Sequence, residues 1–302
     1  MADLVIPARL ARTVVDWEGD RGRAWLDRLP GLVDAVTAAW DLEVGLPFEP
    51  GGNISWVAPV RRRADGSPAV LKIQHPHPES ELEATGLRAW AGEGAVALLA
   101  HDAGRRALLL ERCRPGTALL DRQGELAAVR AGAAVGARLH AVAPPADVPT
   151  LASVLDRWAD ELAERVAGQP LVDPGLARRA VETMRERPRV GATPVLLHGD
   201  LNPTNVLAAE REHWLAIDPK PMAGDAAYDG SRLVLQPHPT SAAVLTDRLA
   251  VVAEVMDLDR DAVVDWCLAG AVELAASAHH HGDGTGAALS VGDVELLAPL
   301  LV

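Results

Sequence analysis

Three polar residues that follow two apolar segments could together carry out phosphoryl transfer. Asp200 stands in a turn after an apolar strand ending at Leu197, Asn205 comes five residues later, and Asp218 follows a second apolar strand ending at Ile217. Transfer of a phosphoryl group from a nucleotide to a hydroxyl needs a carboxylate to take the hydroxyl proton, and an amide oxygen and a second carboxylate to bind Mg²⁺. We therefore predict that Asp200 is the catalytic carboxylate and that Asn205 and Asp218 are metal ligands.

The spacing of these residues resembles the catalytic loop of protein kinases, with two departures. Both sequences contain His-x-Asp, an Asn five residues after the Asp, and a metal-binding Asp on a following strand. Here Gly199 replaces the arginine of the loop, and Asp218-Pro219-Lys220 stands where Asp-Phe-Gly would be. These departures favour a kinase that acts on small molecules over one that acts on proteins.

The same segments resemble the aminoglycoside phosphotransferase family, and in particular the branch that contains streptomycin 6-kinase and hydroxyurea phosphotransferase. The motifs that carry the likeness are His198-Gly199-Asp200, Asn205, the run from Trp214 to Pro221, Gly224-Asp225 and Tyr228-Asp229. The likeness extends over roughly residues 40 to 285 and is strongest between 195 and 230. It implies a kinase that uses ATP and Mg²⁺ and phosphorylates a hydroxyl of a small molecule.

The order of the predicted elements favours an α+β fold. Strands come first, helices follow, and one short β insertion lies at 195–218. Helices are predicted at 126–140, after Thr150 and Asp173 as N-caps, and near 241–256 and 261–278. Together with the resemblance, this order predicts a protein-kinase-like two-lobed fold. Residues 1–111 would form a small β-rich nucleotide-binding lobe, and residues 112–302 a larger helical lobe with the catalytic loop and the acceptor site.

Lysine is rare in this chain, which draws attention to Lys72. Of the 29 lysine and arginine residues only Lys72 and Lys220 are lysines, and Lys220 is explained by its motif alone. The alternation of Val70-Leu71-Lys72-Ile73 predicts a strand. In the kinase layout this strand carries the lysine that contacts the nucleotide phosphates, whereas without that layout Lys72 would be a solvated strand residue.

Glu83 is the predicted partner of Lys72. A helix is predicted from Glu79 to Trp90, and Glu83, Leu87 and Trp90 share one face of it. The alternative is a capping box in which Ser80 and Glu83 bind backbone N–H groups at the start of the helix. We favour the ion pair.

Two further segments are predicted to contact the nucleotide. Gly51 and Gly52 lie in a loop before Lys72, where backbone N–H groups could cover the phosphates, although a plain Gly-Gly hairpin explains them nearly as well. By resemblance, the segment after the apolar run 107–111 is the hinge, and the backbone of Glu111 and Cys113 would bind adenine.

Acidic residues near the motifs are candidates for substrate binding. Asp225 and Asp229 either face the substrate or brace the loop, and bracing is favoured for Asp229. By resemblance the acceptor pocket lies beside the catalytic loop and is lined by residues 273–283, which include Glu273 and Asp283.

The net charge of −13 bears on the partners of the protein. It argues against nucleic-acid binding, which needs a basic surface, and it suits a cationic substrate such as an aminoglycoside. No apolar run is long enough to span a membrane, and the first residues lack the apolar segment of a signal peptide, which predicts a cytoplasmic protein.

We therefore predict an ATP-dependent kinase that phosphorylates a hydroxyl of an aminoglycoside such as streptomycin. Two alternatives remain open. One is the same chemistry on hydroxyurea or another metabolite, and the other is a kinase-like protein that binds nucleotide or metabolite without turnover.

Overall fold

The computed structural model describes residues 4–77, 80–122, 125–168, 171–190 and 193–301. The chain divides into two compact units. The first comprises Met1–Gly92 and Val96–Gly116, and the second comprises Glu93–Ala95 and Thr117–Val302. Within the described ranges, no helix has the length and apolar character needed to cross a membrane.

The described part of the first unit consists of an antiparallel sheet and two helices. Its elements are α1 (Ala8–Ala39), β1 (Leu42–Val44), β2 (Ser55–Arg62), β3 (Pro68–Gln74), α2 (Glu83–Trp90), β4 (Leu98–Asp102) and β5 (Ala107–Glu111). The strands pair in the order β1-β2-β3-β5-β4.

Helix α1 bends at Gly19, where φ is 56°, and its apolar side chains pack on the sheet. The buried residues of α1 are Leu10, Val14, Trp25, Leu29, Val33 and Val36. The Nε1–H of Trp56 on β2 donates to the carbonyl of Val5 just before the helix, at 3.0 Å. Burial of each large apolar side chain contributes about 1.5–3 kcal/mol, so this helix accounts for much of the unit's core.

Strand β3 presents its two sides to different surroundings. Leu71 and Ile73 belong to the core under α1. Because successive side chains point to opposite faces of a sheet, Lys72 and Gln74 lie together on the other face. Lys72 pairs in register with Val57 on β2 and Leu108 on β5, so it occupies the middle of the sheet.

The second unit is mostly helical. Its described helices are α3 (Leu119–Arg122), α4 (Glu125–His140), α5 (Leu151–Gly168), α6 (Pro174–Glu186), α7 (Ala227–Leu235), α8 (Ala242–Met256), α9 (Arg260–His280) and α10 (Gly284–Leu297). The predicted caps are confirmed, because Thr150 Oγ1 accepts from the N–H of Ser153, and Asp173 accepts from the N–H groups of Gly175 and Leu176.

Two short antiparallel strand pairs carry the predicted motifs. β6 (Val195–Leu197) pairs with β9 (Met222–Gly224), and β7 (Val206–Ala208) pairs with β8 (Trp214–Ala216). The loop with Asp200 and Asn205 joins β6 to β7, and Asp218 follows β8. The two pairs therefore bring both motifs into one part of the unit.

Among the described elements, the sequence did not predict the helices α1, α3, α7 and α10 or the strands β4 and β9. Strand β1 ends at Val44, and the side chain of Leu46 just beyond it is exposed. Glu79, the predicted start of the helix that carries Glu83, lies outside the described residues.

Candidate active site

The loop from His198 to Asn205 holds the carboxylate of Asp200 between two amides. Asn202 Nδ2 donates to Asp200 Oδ1 over 3.1 Å, and Asn205 Nδ2 donates to Asp200 Oδ2 over 3.2 Å. Asn202 also accepts from the N–H of Thr204 at the start of the short 3₁₀ helix Pro203–Asn205. The side chain of Asp200 remains 28% exposed, so its carboxylate is oriented by two donors and still reachable from solvent.

Gly199 is required by the close approach of the segment after Asp218. Its φ is +80°, and a Cβ there would lie 2.1 Å from the carbonyl oxygen of Lys220. The N–H of Lys220 in turn donates to the carbonyl of His198 over 2.7 Å. The glycine that distinguishes this loop from that of protein kinases therefore lets residues 218–220 pack directly on it.

Asp229 on α7 holds the loop in place by hydrogen bonds to its backbone. Its Oδ2 accepts from the N–H of His198 at 2.7 Å, and its Oδ1 accepts from the N–H of Gly199 at 2.9 Å. His140 Nε2, at the end of α4, lies 2.9 Å from Oδ2. Burial tends to raise the pKa of Asp229, but the hydrogen bond and charge of His140 and the bond from His198 outweigh it and hold the pKa below its usual value.

This geometry corrects the prediction of Asp229 as a substrate-binding residue. Its side chain is completely buried and both of its oxygens are engaged by the loop and His140. The bracing interpretation is the one the structure supports.

His198 connects the loop with the segment that carries Asp218. Its Nδ1 accepts from the N–H of Asp200 at 3.3 Å, and its Nε2 donates to the carbonyl of Ile217 at 3.0 Å. This pair of bonds fits the neutral ring with its proton on Nε2. Burial lowers the pKa of His198, although the carboxylates of Asp229, Asp200 and Asp218 oppose the change.

The backbone segments that carry the two metal-ligand candidates, Asn205 and Asp218, are hydrogen-bonded to each other. The N–H of Ile217, the residue before Asp218, donates to the carbonyl of Asn205 at 2.9 Å. Because the Nδ2 of Asn205 contacts Asp200, its amide oxygen is the end turned away from that carboxylate. Asp218 is exposed and has a φ of 57°. An amide oxygen beside an accessible carboxylate is a donor set that suits Mg²⁺.

Lys220 approaches the carboxylate of Asp200, which the sequence did not predict. Its Nζ lies 3.7 Å from Asp200 Oδ2, and the two side chains are 34% and 28% exposed. A pair this exposed contributes little to stability, so its position matters more than its energy. The rarity of lysine was the one sequence signal for it.

In the first unit, the predicted ion pair between Lys72 and Glu83 is present. Lys72 Nζ lies 2.6 Å from Glu83 Oε2, and the side chains are 8% and 2% exposed. Gln74, on the same face of β3 as Lys72, donates its Nε2 to the same oxygen at 2.6 Å. Glu83 is thus held by two residues of one strand.

The alternative capping box is wrong. Helix α2 begins at Glu83 itself, with Leu82 as the N-cap and no side-chain cap. Ser80 Oγ instead donates to the carbonyls of His75 and His77.

The first predicted nucleotide-contacting segment, the loop with Gly51 and Gly52, has a backbone that requires glycine. Gly51 has a φ of +75°, and a Cβ on Gly52 would lie 2.9 Å from the carbonyl oxygen of Ser55, so both positions need glycine. The connection between β1 and β2 spans residues 45–54 and is not a two-residue Gly-Gly turn.

At the predicted hinge, the N–H of Glu111 is engaged. It donates to the carbonyl of Ala97 at 2.9 Å, while Glu111 Oε2 accepts from the N–H of Ala97 at 3.0 Å. An adenine contact by this N–H is therefore excluded. Cys113 is half-buried, and its contact with adenine stays a prediction.

The remaining substrate-binding candidates, Asp225 and Glu273, are both half-buried. Asp225 accepts from the N–H of Ala227 at 3.0 Å and from Trp266 Nε1 at 2.7 Å, which ties α7 to α9. Glu273 lines a small depression together with Tyr228 and Arg232. Asp225 thus has a bracing role, and Glu273 stays a candidate for substrate contact.

Arg232 adds a positive charge near the catalytic loop that the sequence did not reveal. Its guanidinium lies 5.3 Å from the ring centroid of Tyr228 and donates to Tyr228 Oη at 3.0 Å. The Tyr228 oxygen, and then the carboxylates of Asp200 and Glu273, raise the already high pKa of Arg232.

A larger cavity lies beside the loop that carries Asp200. Its volume is about 350 Å³, and it is lined by Thr204 of the loop and by Leu274, Ala278 and Asp283, all three within the predicted stretch 273–283. His238 and Ser290 complete much of its wall.

Comparison with known proteins decides the family. The model of the aminoglycoside/hydroxyurea antibiotic resistance kinase family matches residues 44–282. The chain belongs to this family. The predicted resemblance is confirmed, and the protein is a phosphotransferase that acts on a small molecule.

Individual relatives agree with this assignment. The chain is 36% identical to streptomycin 6-kinase of Streptomyces glaucescens, over 86% of each protein. It is 37% identical to hydroxyurea phosphotransferase of Kitasatospora aureofaciens, over 89% of this chain and 78% of the relative.

The solved structures confirm the protein-kinase-like α+β fold. A thermostable mutant of an aminoglycoside phosphotransferase, in ternary complex with ADP and hygromycin B, matches with a TM-score of 0.59. The match has 15% identity and covers 88% of this chain and 97% of that one.

Proposed function

We propose that this protein transfers the γ-phosphoryl group of ATP to a hydroxyl of a streptomycin-like aminoglycoside. The observation that carries the proposal is the geometry around Asp200, whose carboxylate is oriented by Asn202 and Asn205 on a braced loop and remains accessible. The similarity to streptomycin 6-kinase and the nucleotide in the solved relative support it.

Asp200 is the group that handles the proton of the acceptor. The hydroxyl oxygen of the acceptor attacks the γ-phosphorus, its proton passes to a carboxylate oxygen of Asp200, and ADP leaves. The amide donors of Asn202 and Asn205 keep the carboxylate in one orientation, which reduces the entropy lost on reaching the transition state. Lys220 provides a positive charge beside the reacting groups.

Asn205 and Asp218 would hold Mg²⁺, which offsets the charge of the phosphate oxygens when it is bound. Lys72 would bind the nucleotide phosphates, and Glu83, which also accepts from Gln74, keeps the ammonium in place from one side. The net charge of −13 favours the approach of a polycation such as streptomycin.

The Asp200→Asn variant tests this proposal. The amide keeps the shape of the side chain but cannot accept the proton, so kcat for streptomycin should fall by roughly 10²–10⁴-fold. The measurement is ADP release with mass spectrometry of the acceptor, using streptomycin, hydroxyurea and no acceptor. Asp147→Asn in an exposed loop is the matched control and should keep wild-type activity.

Each outcome separates the candidate functions. Phosphorylation of hydroxyurea alone would replace the aminoglycoside proposal, and nucleotide binding without turnover on any acceptor would favour the binding protein. Near-normal turnover in Asp200→Asn would remove Asp200 from its assigned role.

Metal dependence gives a second test. Asp218→Asn replaces a carboxylate with a weaker ligand for Mg²⁺, so half-maximal activity should need a higher Mg²⁺ concentration than in wild type. Superimposable Mg²⁺ titration curves would contradict the assignment of Asp218.

A further inference from the structure

A histidine on the wall of the cavity beside the catalytic loop is paired with a buried aspartate, and neither the sequence nor the comparisons assign a role to this pair. His238 lines the cavity, and its Nδ1 lies 2.6 Å from Asp293 Oδ2. The side chain of His238 is 34% exposed, whereas that of Asp293 is 2% exposed. The pair therefore joins a carboxylate inside the protein to a ring that faces open space.

Hydrogen bonds within the loop link a residue of the cavity wall to the carboxylate of Asp200. Thr204 lines the cavity, its N–H donates to Asn202 Oδ1, and Asn202 Nδ2 donates to Asp200 Oδ1. Only Asn202 thus separates the wall of the cavity from Asp200 in this chain of hydrogen bonds. The wall of the cavity and Asp200 therefore belong to one hydrogen-bonded loop.

The size and charge of the cavity favour a cationic acceptor larger than hydroxyurea. Its volume of about 350 Å³ lies at the lower end of the range of sites that hold drug-sized ligands, and hydroxyurea would fill only a small part of it. Among the described residues that line the cavity, Asp283 is a carboxylate and none is lysine or arginine. Asp283 therefore gives the wall a negative charge, whereas the carboxylate of Asp293 is buried behind His238 and near Arg248.

Asp293 fixes which nitrogen of His238 faces the cavity as an acceptor. When the carboxylate accepts from Nδ1–H, the lone pair of the neutral ring is on Nε2. Burial raises the pKa of Asp293, and the hydrogen bond from His238 works against that rise because it stabilises the carboxylate.

The segment that carries His238 is itself held in place. Arg248, which is 1% exposed, donates to the carbonyl oxygens of Val234 and Pro237. A ring on so fixed a segment can discriminate between ligands by position.

We propose that His238, oriented by Asp293, is a specificity-determining contact for the acceptor, and that Nε2 accepts a hydrogen bond from an ammonium, guanidinium or hydroxyl group of a cationic aminoglycoside in this cavity. The proposal rests on the proposed function for the identity of the reaction. It adds two residues, His238 and Asp293, that select the acceptor.

Two variants test the pair by kinetics. His238→Phe keeps a ring of similar size without the acceptor nitrogen, and Asp293→Asn keeps the shape of the carboxylate but offers an N–H to Nδ1, so the ring proton moves to Nε2. Each should raise the KM for streptomycin about tenfold, and neither should change the KM for ATP. His213→Phe, on an exposed turn, is the matched control and should behave as wild type.

Nitrogen-15 NMR of histidine-labelled protein gives a readout independent of turnover. The resonances missing from His238→Phe identify the His238 ring, Asp293→Asn should exchange the shifts of its protonated and unprotonated nitrogens, and added streptomycin should shift wild-type Nε2. If Asp293→Asn does not fold, His238→Phe and the wild-type titration still decide the matter.

The outcomes distinguish the two proposals. Turnover of streptomycin by wild type with an unchanged KM in His238→Phe would overturn the role of His238 and leave the proposed function intact. A streptomycin-dependent shift of Nε2 without phosphorylation would support the site and overturn the proposed reaction. Neither shift nor turnover would overturn both.

Discussion

Each unit contains a buried carboxylate, and the two are compensated by different kinds of partner. In the first unit, Glu83 is bound by two side chains, those of Lys72 and Gln74. In the second, Asp229 is bound by the backbone N–H groups of His198 and Gly199 and by the ring of His140.

The carboxylate of Glu83 positions a side chain, whereas the carboxylate of Asp229 positions the backbone. The ammonium of a lysine has three donors, so it can bind a carboxylate and still bind phosphates. A carboxylate that accepts from two successive N–H groups fixes the path of the loop itself. We therefore expect that both members of the pair in the first unit can be replaced together without unfolding the protein. In the second unit no second substitution can compensate for loss of the Asp229 carboxylate, because two of its partners are backbone N–H groups.

The largest effect is expected from Lys72→Met. It leaves the carboxylate of Glu83 buried without its cation, which should lower the free energy of unfolding by about 3–5 kcal/mol and abolish ATP turnover. Denaturant unfolding and ADP release measure the two effects.

The double variant Lys72→Met/Glu83→Gln sharpens the comparison. It removes both charges and leaves the amide oxygen at position 83 to accept from Gln74, so most of the lost stability should return while activity does not. A double variant no more stable than Lys72→Met would show that the ion pair itself supports the fold.

Asp229→Asn should have the next largest effect. One oxygen of the amide can still accept, but its Nδ2 faces a second donor, and an unpaired buried N–H costs about 1–3 kcal/mol. The loop should lose its fixed path, so kcat for streptomycin should fall together with stability.

Here a second substitution should not help. His140→Gln combined with Asp229→Asn leaves the N–H groups of His198 and Gly199 as they are. Recovery of stability or kcat in that double variant would contradict the distinction between the two units.

The same distinction explains what the sequence could predict. The kinase layout predicts a lysine–carboxylate pair, and two local periodicities, alternation along β3 and the apolar face of α2, identify Lys72 and Glu83 as its members. The grouping of Asp200, Asn205 and Asp218 follows from strand ends and their spacing. Both are short-range patterns.

Contacts between residues far apart in the chain have no such pattern in the sequence. The contact of His140 with Asp229 and that of His238 with Asp293 join residues 89 and 55 positions apart, and nothing local marks either residue. Nor does the sequence reveal that Lys220 reaches Asp200, since that depends on the absence of a side chain at Gly199.

The two longest unpredicted helices, α1 and α10, were missed for reasons that lie in their own sequences. Helix α1 carries a clear apolar face, but the bend at Gly19 and the internal Pro30 interrupt its pattern. Helix α10 contains Gly284, Gly286 and Gly292, and glycine is unfavourable in a helix. It forms because buried side chains such as Val294 and Leu297 pack within the unit, so packing outweighs propensity.

The smallest predicted effect concerns His75, a buried histidine of the first unit that contrasts with His198. His198 has partners at both ring nitrogens, whereas within the described residues no hydrogen bond reaches Nδ1 of His75, whose ring packs edge-on against Trp25 at 5.4 Å. Burial lowers the pKa of His75. Below about pH 6.5 the unfolded chain therefore binds a proton that the folded protein does not.

Stability should accordingly fall as the pH drops below that value, and His75 should contribute up to about 1.4 kcal/mol per pH unit until its folded pKa is reached. His75→Phe keeps the aromatic contact and removes this contribution, so its stability should depend less on pH between about 6.5 and 5. Because His198 titrates in both proteins, subtracting the two denaturation curves isolates His75, and the exposed His213→Phe is the control. Parallel curves for wild type and His75→Phe would mean that His75 is protonated in the folded protein, and the contrast between the two histidines would be wrong.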